Sequence, residues 1–482
     1  MRKIFPKKPL SLQNKSQLTD RKIPRSFPGF IPFDRGLTPL MYINHPWTIR
    51  ESYQLLMSND LNENDKQHKE TSLIDLSVSF DRPTELGYDS DKEQYLNYVG
   101  KNGLAVDSIE DMKRLFDRIS INNASVLLNT NRVDLPIFAL YVAAANELGI
   151  SIENLDGMLQ TDIMDEFIVK NKSVDGSEMF KKVIGDIISF CKNNMPNFTP
   201  FCISAYQLHE KGVASEIEIA LMMLSGIEYI KTGIKAGHQV DEFAHQLSFK
   251  VGVGIDLITE MAKIRASRII WSKIMQQFNP ENKESFMFRA HCHTTSSIRY
   301  SKLNLAENIA RKTTEALTAI LGQIQSLEIN EQTESVQLHQ VHENIQLILQ
   351  HECGLTNVVD PFGGSYIIEQ KTYDLVQKAW EIITDIEQMG GITLPINKGI
   401  LKLKIDEAVS EKTRDSEIFE DINLSAKNKS LATIQLDPSS DIRDRKINQL
   451  NQLKNERNIE EVTYWLEKLK EATKTGEGNL LE

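Results

Sequence analysis

The sequence predicts a (β/α)8 TIM-type barrel with an extended N-terminal arm and a helical C-terminal linker region. Three observations carry that expectation. Short β-rich runs alternate with longer amphipathic helical runs from about Asp34 to Ile400, the pattern of a parallel sheet. The alternation is one continuous series with no dinucleotide fingerprint, so closure into a barrel satisfies the sheet best. The chain of 482 residues, 40% apolar and 25% charged, is large enough for one extensive core.

In chain order, residues 1–33 read as an arm, 34–400 as the barrel and 401–482 as the helical region. The arm begins with Arg2, Lys3, Lys7, Lys8 and Lys15 and no acid before Thr19. Pro6 and Pro9 speak against an amphipathic transit peptide, so the expectation is an extended arm on a partner subunit. The polar stretch Ser58 to Ser72 reads as a solvated loop or helix surface. Candidate strands are Leu73 to Phe80, Ser125 to Asn129, Phe201 to Ser204, Phe286 to His291 and Val358 to Asp360. Glu216 to Leu224 reads as a helix. So does Ile255 to Met275, where Ile258, Met261, Ala262, Ala266 and Ile269 recur at near-helical spacing. From Arg443 to Glu471 the chain reads as one or two polar helices packed on a neighbour.

Composition excludes several function classes. A net charge of −12 argues against a general nucleic-acid or anionic-membrane surface. No run of about 18 apolar residues is present, so no membrane span is expected. Cys191, Cys202, Cys292 and Cys353 are scattered without a Cys-x-x-Cys pair, which fits a reducing cytoplasm rather than a disulfide frame.

Among local motifs, His291-Cys292-His293 resembles a metal pair. In a strand both imidazoles face one side, yet no third ligand is evident. A hydrogen-bonding His291 in a polar lumen is the expected role. Gly252-Val253-Gly254 lacks the third glycine of a nucleotide loop and is followed by Asp256, so strand-to-helix packing is expected. Gln207-Leu208-His209-Glu210-Lys211-Gly212 holds a His-x-x-Gly element without a preceding aspartate. Lys170 stands out in a polar segment as a possible partner for an anionic group, with an exposed helix-side lysine as the equal alternative.

Several ordered motifs agree with one family. They are Pro46-Trp47-Thr48-Ile49-Arg50, then Leu76 to Phe80 and Gly87-Tyr88-Asp89-Ser90-Asp91. Val99-Gly100-Lys101-Asn102-Gly103 and Val106-Asp107-Ser108 follow, and Val358-Val359-Asp360-Pro361-Phe362-Gly363-Gly364-Ser365-Tyr366 comes much later. From about Pro28 onward this set resembles the barrel region of the methylmalonyl-CoA mutase family, the adenosylcobalamin-dependent acyl-CoA mutases. The resemblance implies a barrel whose hollow centre is threaded by the pantetheine of coenzyme A. It implies that Thr48, Ser77, Gln160 and His291 line the acyl-CoA path, that Lys170 and Ser248 belong to the substrate site, and that Asn330 and Glu334 touch the adenosyl ribose. At Lys170 family members acting on dicarboxylic acyl groups carry arginine, which clamps a carboxylate in bidentate fashion.

The same resemblance exposes three altered polar positions. Ser52 stands where the family has an aromatic ring. Gln207 stands where it has a thioester-facing histidine, beside a retained Tyr206. Gln246 stands where it has a tunnel arginine. The family's Asp-x-His-x-x-Gly cobalt-ligating loop and its flavodoxin-like domain are not recognised here. Adenosylcobalamin is therefore expected only through a partner subunit, if at all. The leading expectation is an acyl-CoA-binding barrel subunit with weakened or lost catalysis, in a hetero- or homo-dimer with a catalytic mutase or cobalamin-binding subunit. The alternatives are an active large subunit with altered acyl specificity and a non-enzymatic acyl-CoA-binding regulatory protein.

Overall fold

A computed structural model describes residues 26–53, 75–101, 103–116, 125–130, 134–160, 177–296, 305–329, 336–401, 405–406 and 440–481. Its strands are β1 Thr48–Tyr53, β2 Asp75–Ser79, β3 Val126–Asn129, β4 Gly157–Gln160, β5 Phe198–Thr199, β6 Phe201–Ser204, β7 Leu247–Val253, β8 Ala290–Thr294 and β9 Ser326–Glu328. All pair in parallel, in the order β5-β4-β3-β2-β1-β9-β8-β7-β6. β5 pairs with β4, and β6 pairs with β7. Only Pro200 separates β5 from β6, and proline has no N–H to give a ladder. The two pieces form one stave, and the sheet joins as eight.

The staves are backed by α1 Ile109–Phe116, α2 Asp134–Glu147, α3 Ser177–Asn194, α4 Ser215–Lys235, α5 Leu257–Met275, α6 Leu305–Leu321 and α7 Val336–His351. Helix α8 Tyr366–Gln388 packs across α4 and α5. Strand parity separates two environments. Phe201, Ile203, Leu247, Phe249, Val251, Val253, Ala290, Cys292 and Leu327 join the main core under the helices. The alternate positions face the lumen. There Leu127, Met158 and Cys202 form a small apolar cluster of their own.

The residues just ahead of β1 close the end of the barrel from which the strands start. Tyr42 Oη donates to the Ile324 carbonyl at 2.8 Å, and Trp47 Nε1 donates to Gln346 Oε1 at 3.1 Å. Their rings meet edge to face at 5.1 Å. Arg268 is fully buried; its guanidinium donates to the carbonyls of Gly322 and Gln323 in the turn before β9. Near the other end of the strands, Asp81 accepts from Thr84 N at 3.0 Å and Gly100 N at 2.8 Å. A side chain at Gly103 would strike the Phe80 carbonyl carbon at 2.3 Å, which is why the Gly100 to Gly103 motif carries glycine there.

Two expected strands need correction. Val358 to Asp360 is not a strand. Asp360 takes a left-handed backbone with φ 46° and accepts from Arg265 Nη1 at 2.7 Å. Arg265 Nη2 donates to Glu369 Oε1 at 3.1 Å, and Arg35 donates to the same oxygen at 3.2 Å. The Asp-Pro-Phe-Gly-Gly motif is thus a loop held by two arginines, and a β-rich run of three residues was no match for that ion cluster. The Phe286 to His291 run is displaced. Lys283–Phe286 forms a 3-10 turn and the strand spans Ala290–Thr294.

The C-terminal region holds α9 Ser440–Glu456 and α10 Ile459–Thr475. The neighbour on which α9 packs is this chain's own barrel. Buried Lys446 pairs with Asp111 and, at 3.4 Å, with Asp107, while Lys454 reaches Asp89 and Asp91 at 2.7 Å each. By contrast, α10 exposes Ile459, Tyr464, Trp465, Leu466 and Leu469. Beyond it, Leu480 N returns to Asp186 Oδ2 of α3 at 3.0 Å.

Removing one partner of a buried ion cluster leaves uncompensated charge, at a cost of about 3–5 kcal/mol. Arg265→Ala should therefore lower the midpoint of thermal unfolding by several degrees, and Arg265→Lys should restore only part of it because lysine cannot bridge both acids. An unchanged midpoint in Arg265→Ala would show that the cluster does not hold the loop.

Candidate functional site

The lumen-facing positions form the candidate site. On β1 and β9, Thr48 pairs with Ser326 and Arg50 with Glu328. On β8, His291 pairs with Ser326 and His293 with Glu328. On β7, Lys250 lies between Ser204 and His291 in register. Across the lumen, Ser77, Asn129 and Gln160 complete the ring through β2, β3 and β4. A barrel interior is ordinarily filled by branched apolar side chains. This one is lined mainly with groups that hydrogen-bond.

The polar lining is connected. Arg50 Nε donates to Ser326 Oγ at 3.0 Å, and the same hydroxyl meets His291 Nδ1. Asn129 Nδ2 donates to Ser77 Oγ at 2.7 Å. His293 Nε2 lies 3.4 Å from Glu328 Oε2. The Tyr206 ring lies 5.4 Å from the His293 ring, and the Lys250 ammonium lies 5.0 Å from the Tyr206 centroid.

Burial sets the protonation states. It pushes His291 and His293 well below the ordinary imidazole range. For His291 the cationic Arg50, Arg289 and Lys250 add to that effect, and for His293 Lys250 adds most. Both rings are neutral near pH 7 and serve as hydrogen-bonding groups. Burial also raises the Glu328 carboxyl above its usual range, against the pull of Lys250 and Arg50.

Most of the substrate residues expected from sequence come together on this surface: Thr48, Ser77, Gln160, Ser248 and His291 all occupy lumen-facing register positions. Tyr206 is buried at the rim. The three positions expected to be altered do not share one place. Ser52 lies in β1 opposite Ser77 in register. Gln207 is exposed on the short helix Tyr206–Glu210, past the C-terminal end of β6, so it stands on the rim rather than in the lumen wall. Gln246 lies before β7, at the opposite mouth, and donates to the Pro196 carbonyl at 3.2 Å. Lys170, Asn330 and Glu334 fall outside the described residues.

Four groups escaped the sequence reading: Arg50, Lys250, Glu328 and the role of Asn129. A signal for two of them was available. Lys250 sits between Phe249 and Val251, and Glu328 between Leu327 and Ile329. A lone charge inside an alternating apolar strand marks an inward polar face.

His209 has a different use from cobalt ligation. Its Nδ1 lies 3.4 Å from Lys263 Nζ and 3.5 Å from Glu218 Oε2, and its Nε2 lies 3.3 Å from Thr295 Oγ1. Lys263 in turn bonds Glu218 at 3.0 Å and the Gly252 carbonyl at 2.7 Å. A side chain at Gly252 would enter the His209 ring at 2.4 Å. The Gly252 element therefore makes room for this buried ion cluster, and His209, engaged on both nitrogens, does not fit as a metal ligand. Among the described residues, no three or more His, Cys, Asp or Glu gather to hold a metal ion. Nor is any of their helices long and apolar enough to cross a membrane.

The comparisons with known proteins agree across nearly the whole chain. The methylmalonyl-CoA mutase family profile matches residues 4–482. A methylmalonyl-CoA mutase of Rhizobium meliloti (strain 1021) is 36% identical over 467 residues, covering 95% of this chain and 65% of that protein. The methylmalonyl-CoA mutase large subunit of Streptomyces virginiae is 35% identical over 468 residues, 95% of this chain and 64% of its own length. The mitochondrial methylmalonyl-CoA mutase of Homo sapiens is 36% identical over 471 residues, again 95% of this chain but 62% of its own length. The chain thus spans less than two thirds of these relatives, and the matching portion runs through every described stave of the barrel. The chain belongs to the methylmalonyl-CoA mutase family.

Proposed function

We propose that this chain is an acyl-CoA-binding barrel subunit of a methylmalonyl-CoA-mutase-type isomerase, with its own mutase catalysis weakened or lost. The polar lumen carries the proposal. Ser77, Asn129 and Gln160 on one wall offer hydrogen bonds to an amide-bearing chain, while His291, held by Ser326 and Arg50, faces the thioester region. A closed barrel of this kind excludes water and orients an acyl group. In the family, bound adenosylcobalamin supplies radical chemistry. In this chain His209 is committed elsewhere, so cobalamin is assigned to a partner subunit. Cytoplasmic location is part of the same proposal.

The rim supports the loss of catalysis. Gln207 can donate a hydrogen bond but cannot become a cation or shuttle a proton. Losing one such donor to a reacting oxygen costs about 10²–10³-fold in comparable sites. A second reading, an active subunit with altered acyl specificity, is favoured by Lys250 and Glu328 in the lumen, because charges there select acyl groups of complementary polarity.

Three outcomes follow. With a cobalamin-binding subunit and adenosylcobalamin supplied, methylmalonyl-CoA should convert to succinyl-CoA at least about 10²-fold more slowly than with an ordinary mutase. The triple variant Ser52→Tyr, Gln207→His, Gln246→Arg should recover part of the rate. Full turnover by the unaltered chain on any of several acyl-CoA substrates would favour the altered-specificity reading. Equilibrium dialysis of the chain alone should retain no adenosylcobalamin beyond a control protein.

The partner is a second mutase-type subunit, and the exposed Ile459, Trp465, Leu466 and Leu469 of α10 are its docking face. The name of the Streptomyces virginiae relative, a large subunit, accords with assembly from more than one chain. Trp465→Glu with Leu466→Glu should shift the co-expressed assembly toward monomer in light scattering while leaving the unfolding midpoint unchanged. Unaltered assembly would remove α10 from the interface.

A further inference from the structure

Strand parity puts Leu127 of β3, Met158 of β4 and Cys202 of β6 on the lumen side, and the three pack together apart from the core under the helices. Leu127 and Met158 are neighbours in register, and Cys202 pairs with Ser248 of β7. Leu127, Cys202 and Ser248 are each 1% exposed and Met158 is 4% exposed. Across the lumen Arg50 and Ser326, joined at 3.0 Å, are 7% and 1% exposed. A bore wide enough for water would leave such inward side chains accessible on both walls. At this depth the lumen is therefore filled. An eight-stave barrel encloses just the room that side chains can fill, and leucine and methionine supply bulk that a ring of serines would not. Two residues further along each strand the burial changes. Asn129, Gln160 and Ser204, the next inward positions on the same three strands, are half-buried, and so is His291. The polar groups free to meet a ligand thus stand above an apolar layer, toward the end where the strands finish. Two residues of strand measure about 7 Å, which takes the acyl end of a thioester and stops short of a whole pantetheine chain.

Resting on the acyl-CoA reading above, we propose that Leu127, Met158 and Cys202 form a floor across the lumen, so that the barrel takes an acyl thioester from the rim and holds only its acyl end and the nearest amide. The floor selects ligands by length. The nucleotide and the outer part of the pantetheine stay outside the staves and add little to affinity. This differs from a coenzyme threaded through the barrel centre, and three side chains of this sequence account for the difference.

The test uses the purified full chain and two readouts. The first is alkylation of Cys202 by iodoacetamide, mapped by mass spectrometry. With the floor closed, Cys202 stays unlabelled when the exposed Cys353 is fully alkylated. In Leu127→Ala with Met158→Ala, Cys202 becomes labelled, while Cys191 and Cys292 in the main core do not. Met158→Leu, which keeps the bulk, leaves Cys202 unlabelled. The second readout is calorimetry with propionyl-CoA and with the N-acetylcysteamine thioester of propionate. The unaltered chain should bind the two within about tenfold of each other, and the double alanine variant should gain about tenfold or more for propionyl-CoA alone, through newly buried pantetheine methylenes. Labelling of Cys202 in the unaltered chain as fast as Cys353 overturns the proposal. So does a propionyl-CoA affinity far above that of the short thioester with no gain in the variant. If the double alanine variant fails to fold, the unaltered chain and Met158→Leu still decide. Failure of every form to bind either thioester overturns the acyl-CoA reading, and the labelling of Cys202 then judges the floor by itself.

Discussion

The period of two along a β-strand governs this molecule. Once eight parallel staves close, every strand must present one face to the helices and the other to the lumen. Leu247, Phe249, Val251 and Val253 satisfy the outer requirement on β7, and Ser248 and Lys250 occupy the inner one. A one-residue slip would drive Lys250 into the helical layer and empty Phe249 into the lumen. The hydrophobic pattern therefore fixes the register, and the register fixes which polar groups meet. The Arg50–Ser326–His291 chain arises where three strands bring their inner positions to one level.

A polar lumen imposes a second requirement. Each buried charge needs a counterpart, since isolated burial costs several kcal/mol. At the rim Lys263 answers Glu218 and Glu260, and burial, which would depress the ammonium, is overcome by the two acids. Behind α5, Arg265 and Arg35 answer Asp360 and Glu369. These clusters fasten the loops around the barrel.

The fold class was legible because alternation of β-rich and helical runs is a property of long segments. Phe201 to Ser204 matches β6 at both ends, and Ile255 to Met275 overlaps α5 almost completely. Short features were less legible. Val358 to Asp360 has strand-forming valines, yet tertiary ion pairs to Arg265 decide its shape. Lumen-facing register positions for His291, Thr48 and Ser77 follow from strand parity, which the sequence displays. Lys250 and Glu328 lay outside the motifs on which the resemblance rested, so it did not draw attention to them. Nor could linear order show that Gln207 and Gln246 lie at opposite mouths, on the order of 15 Å apart along the strands.

That separation bears on the proposed loss of mutase catalysis. Gln207 and Gln246 stand at different ends of the lumen, so neither compensates for the other through contact. Each alters one local interaction while the wall between them keeps its hydrogen-bonded order. On the proposed reading, such a barrel keeps what depends on the whole ring, the enclosure and orientation of an extended ligand, and gives up what depends on single donors at the rim.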